Sequence, residues 1–372
     1  MLKVLSVFGT RPEAIKMCPL ILELERDSEI ESRVCLTGQH REMLMQVMDI
    51  FKVKADYNLN IMKPRQSITD ITVSLLSRFE PVLKELQPDL VLVHGDTSTS
   101  FAAALGAFYQ KIPVGHVEAG LRTFDMYSPF PEEMNRTLTA RLASLHFAPT
   151  ENNRRNLEKE GVRGQIFVTG NTVIDAFKTT VKKDYVFKNS DVRGLDFSGK
   201  RVILMTAHRR ENLGQPLENI CLAAKRIAEE FPDVEIIYPL HMNPPVRETA
   251  GRILGDAERV HLTEPLDVED MHNLMYRSSL VLTDSGGLQE EAPALGVPVL
   301  VMRTETERPE AVKMGTVKVV GVETEDIFNS ARLLLTDKNE YEKMAKAVNP
   351  YGDGHASGRI IEAIKKWADN RR

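Results

Sequence analysis

Cysteine is scarce: Cys18, Cys35 and Cys221 are the only three in 372 residues. None lies in a CxxC spacing, and each sits in an apolar or helical context. Buried free thiols in a reducing compartment are therefore expected, not a disulfide framework or a thiolate metal site. A basic excess is missing too, since 48 Lys and Arg against 53 Asp and Glu leave a formal net charge of −5. That gives no electrostatic reason to expect nucleic acid or an anionic membrane as a partner, so any basic group serving an anionic ligand must act locally. No apolar run approaches membrane-spanning length. Residues 1–8 read as a strand and not as a basic segment leading into a long apolar core, so a cytoplasmic location is expected. Four chemical signatures are absent as well. No GxGxxG follows a strand, no GxxxxGKS/T occurs, and neither HExxH nor GxSxG is present. These absences remove the usual marks of NAD, ATP, catalytic zinc and an acyl-transfer serine. His40, His94, His116 and His146 are scattered along the chain, so no metal site is expected.

What is present is ordinary globular composition, 42% hydrophobic and 27% charged, in a chain longer than one core usually holds. Two domains are the default. The pattern is apolar strand, polar loop, amphipathic helix, repeated. LKVLSVF, SRVCLTG, PDLVLVHGD, IPVGHVEAG, LHFAPT and QIFVTG read as strands. Helices are expected over 41–51, over 69–86 up to the break at Gln87-Pro88, and from Pro131 as a first-turn residue. Residues 182–200 are polar and weakly periodic and read as a linker. A second series follows with RVILMTAH, VEIIYPL, RVHLTEP, LVLT and GVPVLVM, after which the last part reads as helical, broken over 349–354, with a last helix over 359–367. This alternation predicts an α/β fold with largely parallel sheets.

Polar residues crowd the strand ends. Arg11 and Lys16 follow the first strand, and Asp96, Glu118 and Glu132 follow later ones. In the second half His208 and Arg209 end one strand and His241 another. Single residues here have plain structural uses as helix caps or dipole partners. The set, repeated at one edge of both series, points to a site, because ligands of such sheets bind beyond the carboxyl ends of strands. LVLTDSGGLQEEAP, residues 280–293, is the most informative stretch. It reads as a buried strand, a break at 283–287, and a helix carrying Gln289, Glu290 and Glu291 in its first turns. Taken alone, it fits a tight strand-to-helix turn as well as a cradle for phosphate. The inventory as a whole decides. Arg11, Lys16, His208 and the amides of Ser285, Gly286 and Gly287 suit a diphosphate. Asp96, Glu118 and Glu132 suit acid/base work or stabilisation of a cation. A nucleotide-diphosphate compound held between two Rossmann-like domains is the reading that uses both.

FGTRPEAIKM, LVHGDT, GHVEAGLRT, SPFPEEMNR, FVTGNTVIDA, AHRREN, TDSGGLQEEAP, ERPEA and NPYGDG occur in this order. From residue 2 to about 365 the sequence resembles the non-hydrolysing UDP-N-acetylglucosamine 2-epimerases. The resemblance implies a GT-B type α/β fold, two Rossmann-like parallel-sheet domains with a cleft between them. The boundaries expected are 1–182, 183–358 and a C-terminal helix over 359–372 that packs back on the first domain or on its own. The implied activity is reversible conversion of UDP-GlcNAc to UDP-ManNAc, with no added cofactor, usually in a homodimer, and in service of cell-surface polysaccharide synthesis. Anti elimination of UDP would give 2-acetamidoglucal, and syn re-addition would complete the inversion.

By the same resemblance Arg11, Lys16 and His208 surround the sugar and diphosphate. Ser285, Gly286 and Gly287 hold the phosphates, Glu291 the ribose, and Arg308 joins the UDP site. Leu266 and Met271 flank the uracil. Asp96, Glu118 and Glu132 match the functional acids, with His208 also counted as catalytic. Two sugar faces require at least two acid/base groups, and the division expected is Asp96 and Glu132 for proton transfer and Glu118 for the cation. Bacterial members commonly bind a second UDP-GlcNAc as activator. Its matching positions are Gln39, Arg65, Arg209 and His241, with Glu42 standing where some members have Gln. A GT-B glycosyltransferase, a hydrolysing 2-epimerase and a non-catalytic nucleotide-sugar sensor are the alternatives.

Overall fold

The computed structural model describes residues 1–38, 41–63 and 65–371, and only the backbone of Arg41 and Glu42. The chain folds as two compact units, residues 1–179 with 351–372, and residues 180–350.

The first unit is built on seven strands: β1 (Leu2–Phe8), β2 (Ile30–Leu36), β3 (Tyr57–Asn58), β4 (Leu90–His94), β5 (Val114–Val117), β6 (Leu145–Ala148) and β7 (Gln165–Val168). They pair in parallel in the order β3-β2-β1-β4-β5-β6-β7. Helices between consecutive strands let each strand enter from the same end, as a parallel pairing requires. The strands run apolar on both faces (β4 is buried along its whole length), which is the mark of a sheet covered by helices on each side. The order reverses direction between β1 and β4, and the residues just past those two strands are Arg11, Lys16 and Asp96. Such a switch point opens a crevice at the strands' carboxyl ends.

Residues 351–372 complete this unit. The helix Ala356–Asp369 buries Ile360, Ile361, Ala363, Ile364 and Trp367 and packs on the helix Arg11–Arg26. The residues reaching back begin at Tyr351, earlier than the expected start at Arg359. The Asp175 carboxylate accepts hydrogen bonds from the backbone N–H groups of Ala356 (3.1 Å) and Ser357 (2.9 Å), an N-terminal cap supplied from 181 and 182 residues away in sequence. Asp175→Ala is expected to lower the unfolding free energy by about 1–2 kcal/mol in urea titration, because two buried donors lose their acceptor.

The second unit has six strands: β8 (Arg201–Thr206), β9 (Val234–Pro239), β10 (Val260–Thr263), β11 (Leu280–Thr283), β12 (Val299–Val301) and β13 (Val317–Val319). Their parallel order is β10-β9-β8-β11-β12-β13, with the switch point between β8 and β11. His208 and Arg209 follow the first of these strands and Ser285 to Gly287 the second.

Four expectations need correction. Residues 182–200 are no free linker: Tyr185, Phe187 and Val192 are buried, and the Asp270 carboxylate accepts from Tyr185 Oη (2.9 Å), Lys188 N (2.9 Å) and Asn189 N (2.8 Å). The aromatic anchors are too irregularly spaced to show as helix or strand, yet they tie the segment to the helix Val268–Arg277. The region after GVPVLVM is not all helical, since β13 forms a short edge strand. Pro131 caps the helix Glu132–Leu142 from outside instead of occupying its first turn. The helix after Ser-Gly-Gly is one turn, Leu288–Glu291, continued as a 3-10 turn over Ala292–Leu295. Pro293 cannot donate the hydrogen bond a longer α-helix needs.

Candidate active site

In the first unit the FGTRPE loop is shaped by Glu13. Its buried carboxylate accepts from Gly9 N (2.8 Å), Thr10 N (2.7 Å), Thr97 Oγ1 (2.6 Å) and Ser100 Oγ (2.9 Å). One acid thereby joins the loops after β1 and β4, and the Thr10–Glu13 capping box starts the helix Arg11–Arg26. Arg11 stands exposed at the head of that helix, and Lys16 lies further along it.

Lys16 Nζ pairs with Glu118 Oε2, which also accepts from Asn171 Nδ2 (3.0 Å) and lies 3.5 Å from His94 Nε2. Burial alone would raise the Glu118 pKa, but Lys16 and His94 together hold it well below the usual carboxylate range. Glu118 has φ +61°, a left-handed conformation that a non-glycine residue adopts only where its surroundings impose it. The neighbouring backbone is pinned from beneath. His116 is buried, donates from Nε2 to Gly95 O (2.7 Å), and its pKa is pushed down to about 3 by that burial. It stays neutral and fixes Gly95, at φ +63°, immediately before Asp96.

Asp96 Oδ2 receives Arg136 Nε (2.9 Å) and Nη2 (2.8 Å). Arg136 Nη1 in turn donates to Glu133 Oε2 (3.0 Å), and Glu133 accepts from the backbone N–H groups of Thr123 (3.1 Å) and Phe124 (3.0 Å). Glu132 precedes Arg136 by four residues on one helix, so the two share a face and Asp96 is drawn to it. Glu132 itself has no hydrogen bond or ion pair among the described residues. Thus Lys16, Asp96, Glu118 and Glu132 gather at one edge of one sheet. Arg65 does not join them: it is exposed, with φ +56°, and has no ion pair among the described residues. Gln39 lies outside the described residues, as does the Glu42 side chain.

In the second unit a Cβ built on Gly286 would lie 3.5 Å from Arg308 Nη2 and 3.6 Å from Arg209 Nη2. Two guanidinium groups therefore converge on the backbone of Ser285-Gly286-Gly287, an arrangement suited to a multiply charged oxyanion. Arg308 is also held by buried Glu290. The His208 ring stacks on His241 with centroids 5.1 Å apart and planes 7° from parallel. Burial lowers the His208 pKa, Asp284 opposes that, and His241 and Arg209 add to it. His272 Nε2 lies 3.6 Å from Glu291 Oε2, and His272 adjoins the partly exposed Met271, while Leu266 is buried just before the same helix. Arg209 and His241, expected at an activator site beside the active site, lie against the backbone of Gly286 and the ring of His208 respectively. Among the described residues no group of three or more His, Cys, Asp or Glu side chains is arranged to hold a metal.

The family model for UDP-N-acetylglucosamine 2-epimerase matches residues 22–365. The chain belongs to the UDP-N-acetylglucosamine 2-epimerase family. It is 57% identical to the UDP-N-acetylglucosamine 2-epimerase of Bacillus subtilis over 364 residues, covering 98% of this chain and 95% of that one. With the Escherichia coli K12 enzyme of the same name the figures are 53% over 373 residues and 98% of both chains. Among solved structures, UDP-GlcNAc 2-epimerase from Neisseria meningitidis bound to UDP-GlcNAc superposes with a TM-score of 0.88 at 52% identity, covering 98% of this chain and all (100%) of that one. The fold is accordingly of GT-B type, with two Rossmann-like parallel-sheet units. No helix among the described residues of this epimerase-family chain is long and apolar enough to cross a membrane.

Sequence reasoning assigned no role to Glu13, Asn171, Arg136 or Asp284. Arg136 was findable from its helical spacing to Glu132, and Glu13 from the T-x-x-E capping pattern. Asn171 lies within FVTGNTVIDA, but nothing local there pairs it with Glu118.

Proposed function

We propose that this chain interconverts UDP-GlcNAc and UDP-ManNAc by elimination and re-addition of UDP. The observation that carries the reading is the state of three carboxylates in the first unit: Glu118 is held by Lys16, Asp96 by Arg136, and the Glu132 side chain has no hydrogen bond or ion pair among the described residues. The C2 proton of the sugar adjoins no carbonyl, so it becomes removable only as C1–O breaks. The bonding pair of C1–O passes to the diphosphate, positive charge builds at C1, and the C2–H pair closes the C1=C2 bond. Ser285 to Gly287, Arg209, Arg308 and His208 supply positive charge for the departing diphosphate, and Glu291 serves the ribose. Arg11 and Lys16 bind near the sugar phosphate, and Leu266 and Met271 flank the uracil. Glu118, kept ionised, suits an anion opposite the C1 cation. Asp96 and Glu132 exchange the proton on the two faces of C2.

Incubation with UDP-GlcNAc alone in D2O, followed by NMR, tests this. UDP-ManNAc carrying deuterium at C2 is the expected product. Free sugar with UDP would indicate a hydrolase, and no exchange a transferase or a sensor. The reading extends to a homodimer working in the cytoplasm, to supply of a cell-surface polysaccharide, and to a second UDP-GlcNAc as activator held by Arg65, Arg209 and His241 together with Gln39 and Glu42.

A further inference from the structure

Asp284 directly follows β11, completely buried, beside the loop that follows β8. Its Oδ2 accepts three hydrogen bonds, from His208 N (2.8 Å), Arg209 N (2.8 Å) and Asn212 Nδ2 (3.1 Å). Among the described residues its Oδ1 accepts none, and it lies 3.5 Å from His208 Nδ1. A buried carboxylate oxygen without a donor is costly, and the three bonds on its twin prevent the group from turning to find another. Two of these bonds hold the backbone of His208 and Arg209, while the stack on His241 fixes the plane of the His208 ring. Nδ1 is the ring nitrogen 3.5 Å from Asp284 Oδ1, which leaves Nε2 for a ligand.

We infer that Asp284 is a positioning residue for the reaction, holding the hydrogen of His208 on Nδ1 and stabilising the imidazolium when a diphosphate engages Nε2. This rests on the reading that His208 meets the leaving group. In the free protein, burial, His241 and Arg209 keep His208 neutral against the pull of Asp284 and Glu211. Nε2 then carries a lone pair. The arriving diphosphate brings negative charge, and Nε2 takes up a proton from a buffer acid of the bulk solvent, whose conjugate base stays in solution. As C1–O breaks and its electron pair moves onto the diphosphate oxygen, Nε2–H donates to that oxygen. On re-addition the pair returns to C1 and the imidazolium remains. The Asp284 carboxylate lies beside the Nδ1 edge of the ring, as the acid of a carboxylate–histidine pair does.

The test uses Asp284→Asn. Its amide oxygen can replace Oδ2 as acceptor, while its NH2 faces Nδ1 and forces the ring hydrogen to Nε2. A fall in kcat of about 10²–10³-fold with KM changed less than about threefold is expected. His208→Asn and the double variant should be equally slow, because the acid acts only through the histidine. ¹⁵N NMR of His208 should show hydrogen on Nδ1 in the wild-type protein without nucleotide. Hydrogen on Nε2 in the wild type, or independent losses that multiply in the double variant, would overturn the inference. Wild-type protein that never exchanges the C2 proton in D2O would sink the epimerase reading, yet the ¹⁵N measurement would still decide the Asp284–His208 contact.

Discussion

Asp96→Asn is expected to slow C2 exchange of UDP-GlcNAc in D2O by about 10³-fold while UDP binds within about threefold of its wild-type affinity. The substitution changes charge and basicity but little shape. The amide oxygen can still accept from Arg136, so the helix Glu132–Leu142 keeps its attachment to the loop after β4. What disappears is a base able to take a proton from carbon. The groups proposed for UDP (the Gly286 backbone, Arg209, Arg308 and Glu291) belong to another sheet and depend on other partners. Loss of exchange by NMR, with UDP titration calorimetry unchanged, would therefore separate chemistry from binding. A variant that exchanges at the wild-type rate removes Asp96 from proton transfer. Parallel losses of exchange and UDP affinity would instead make Asp96 a binding residue.

Both the fold class and much of the candidate site were legible, for one physical reason. A parallel sheet buried on both faces writes its strands as apolar runs, and loops at one edge then stand out where they carry Arg, His, Asp and Glu. What stayed hidden is pairing across long separations. Lys16 and Glu118 are 102 residues apart, and His208 N and Asp284 are 76 apart. No local pattern announces which charge meets which. That Arg136 grips Asp96 follows only once β4 and the helix Glu132–Leu142 are placed together. Residues 182–200 failed for the opposite reason. Their polar composition mimics a linker, while three buried side chains, Tyr185, Phe187 and Val192, decide their fate. The 3-residue strand β13 is too short to show periodicity, and its pairing with β12 creates it.

Lys16→Met is expected to destabilise the protein by about 2 kcal/mol at pH 7 and to slow epimerisation by about 100-fold. Removing one partner of a mostly buried pair leaves the other charge uncompensated, at a full cost of about 3–5 kcal/mol. The smaller figure applies because the two side chains keep 20% and 14% exposure, and Asn171 still donates to Glu118. The pH dependence fixes the sign. In the wild type Glu118 titrates well below its ordinary value, so the pair's stabilisation is complete above the unfolded pKa of about 4.3 and is lost as pH falls through the folded one. Without Lys16, burial dominates and the Glu118 pKa rises. The stability gap between wild type and variant should therefore be widest near neutrality and narrow on acidification, measurable by urea titration at pH 7 and pH 4. The acid limb of kcat should move to higher pH in the same variant. Equal stability at pH 7 would mean that the ion pair contributes nothing. The double variant Lys16→Met/Glu118→Gln provides the control, because neither charge then remains buried alone. It should recover most of the lost stability and none of the activity, since the carboxylate proposed to face the C1 cation is gone.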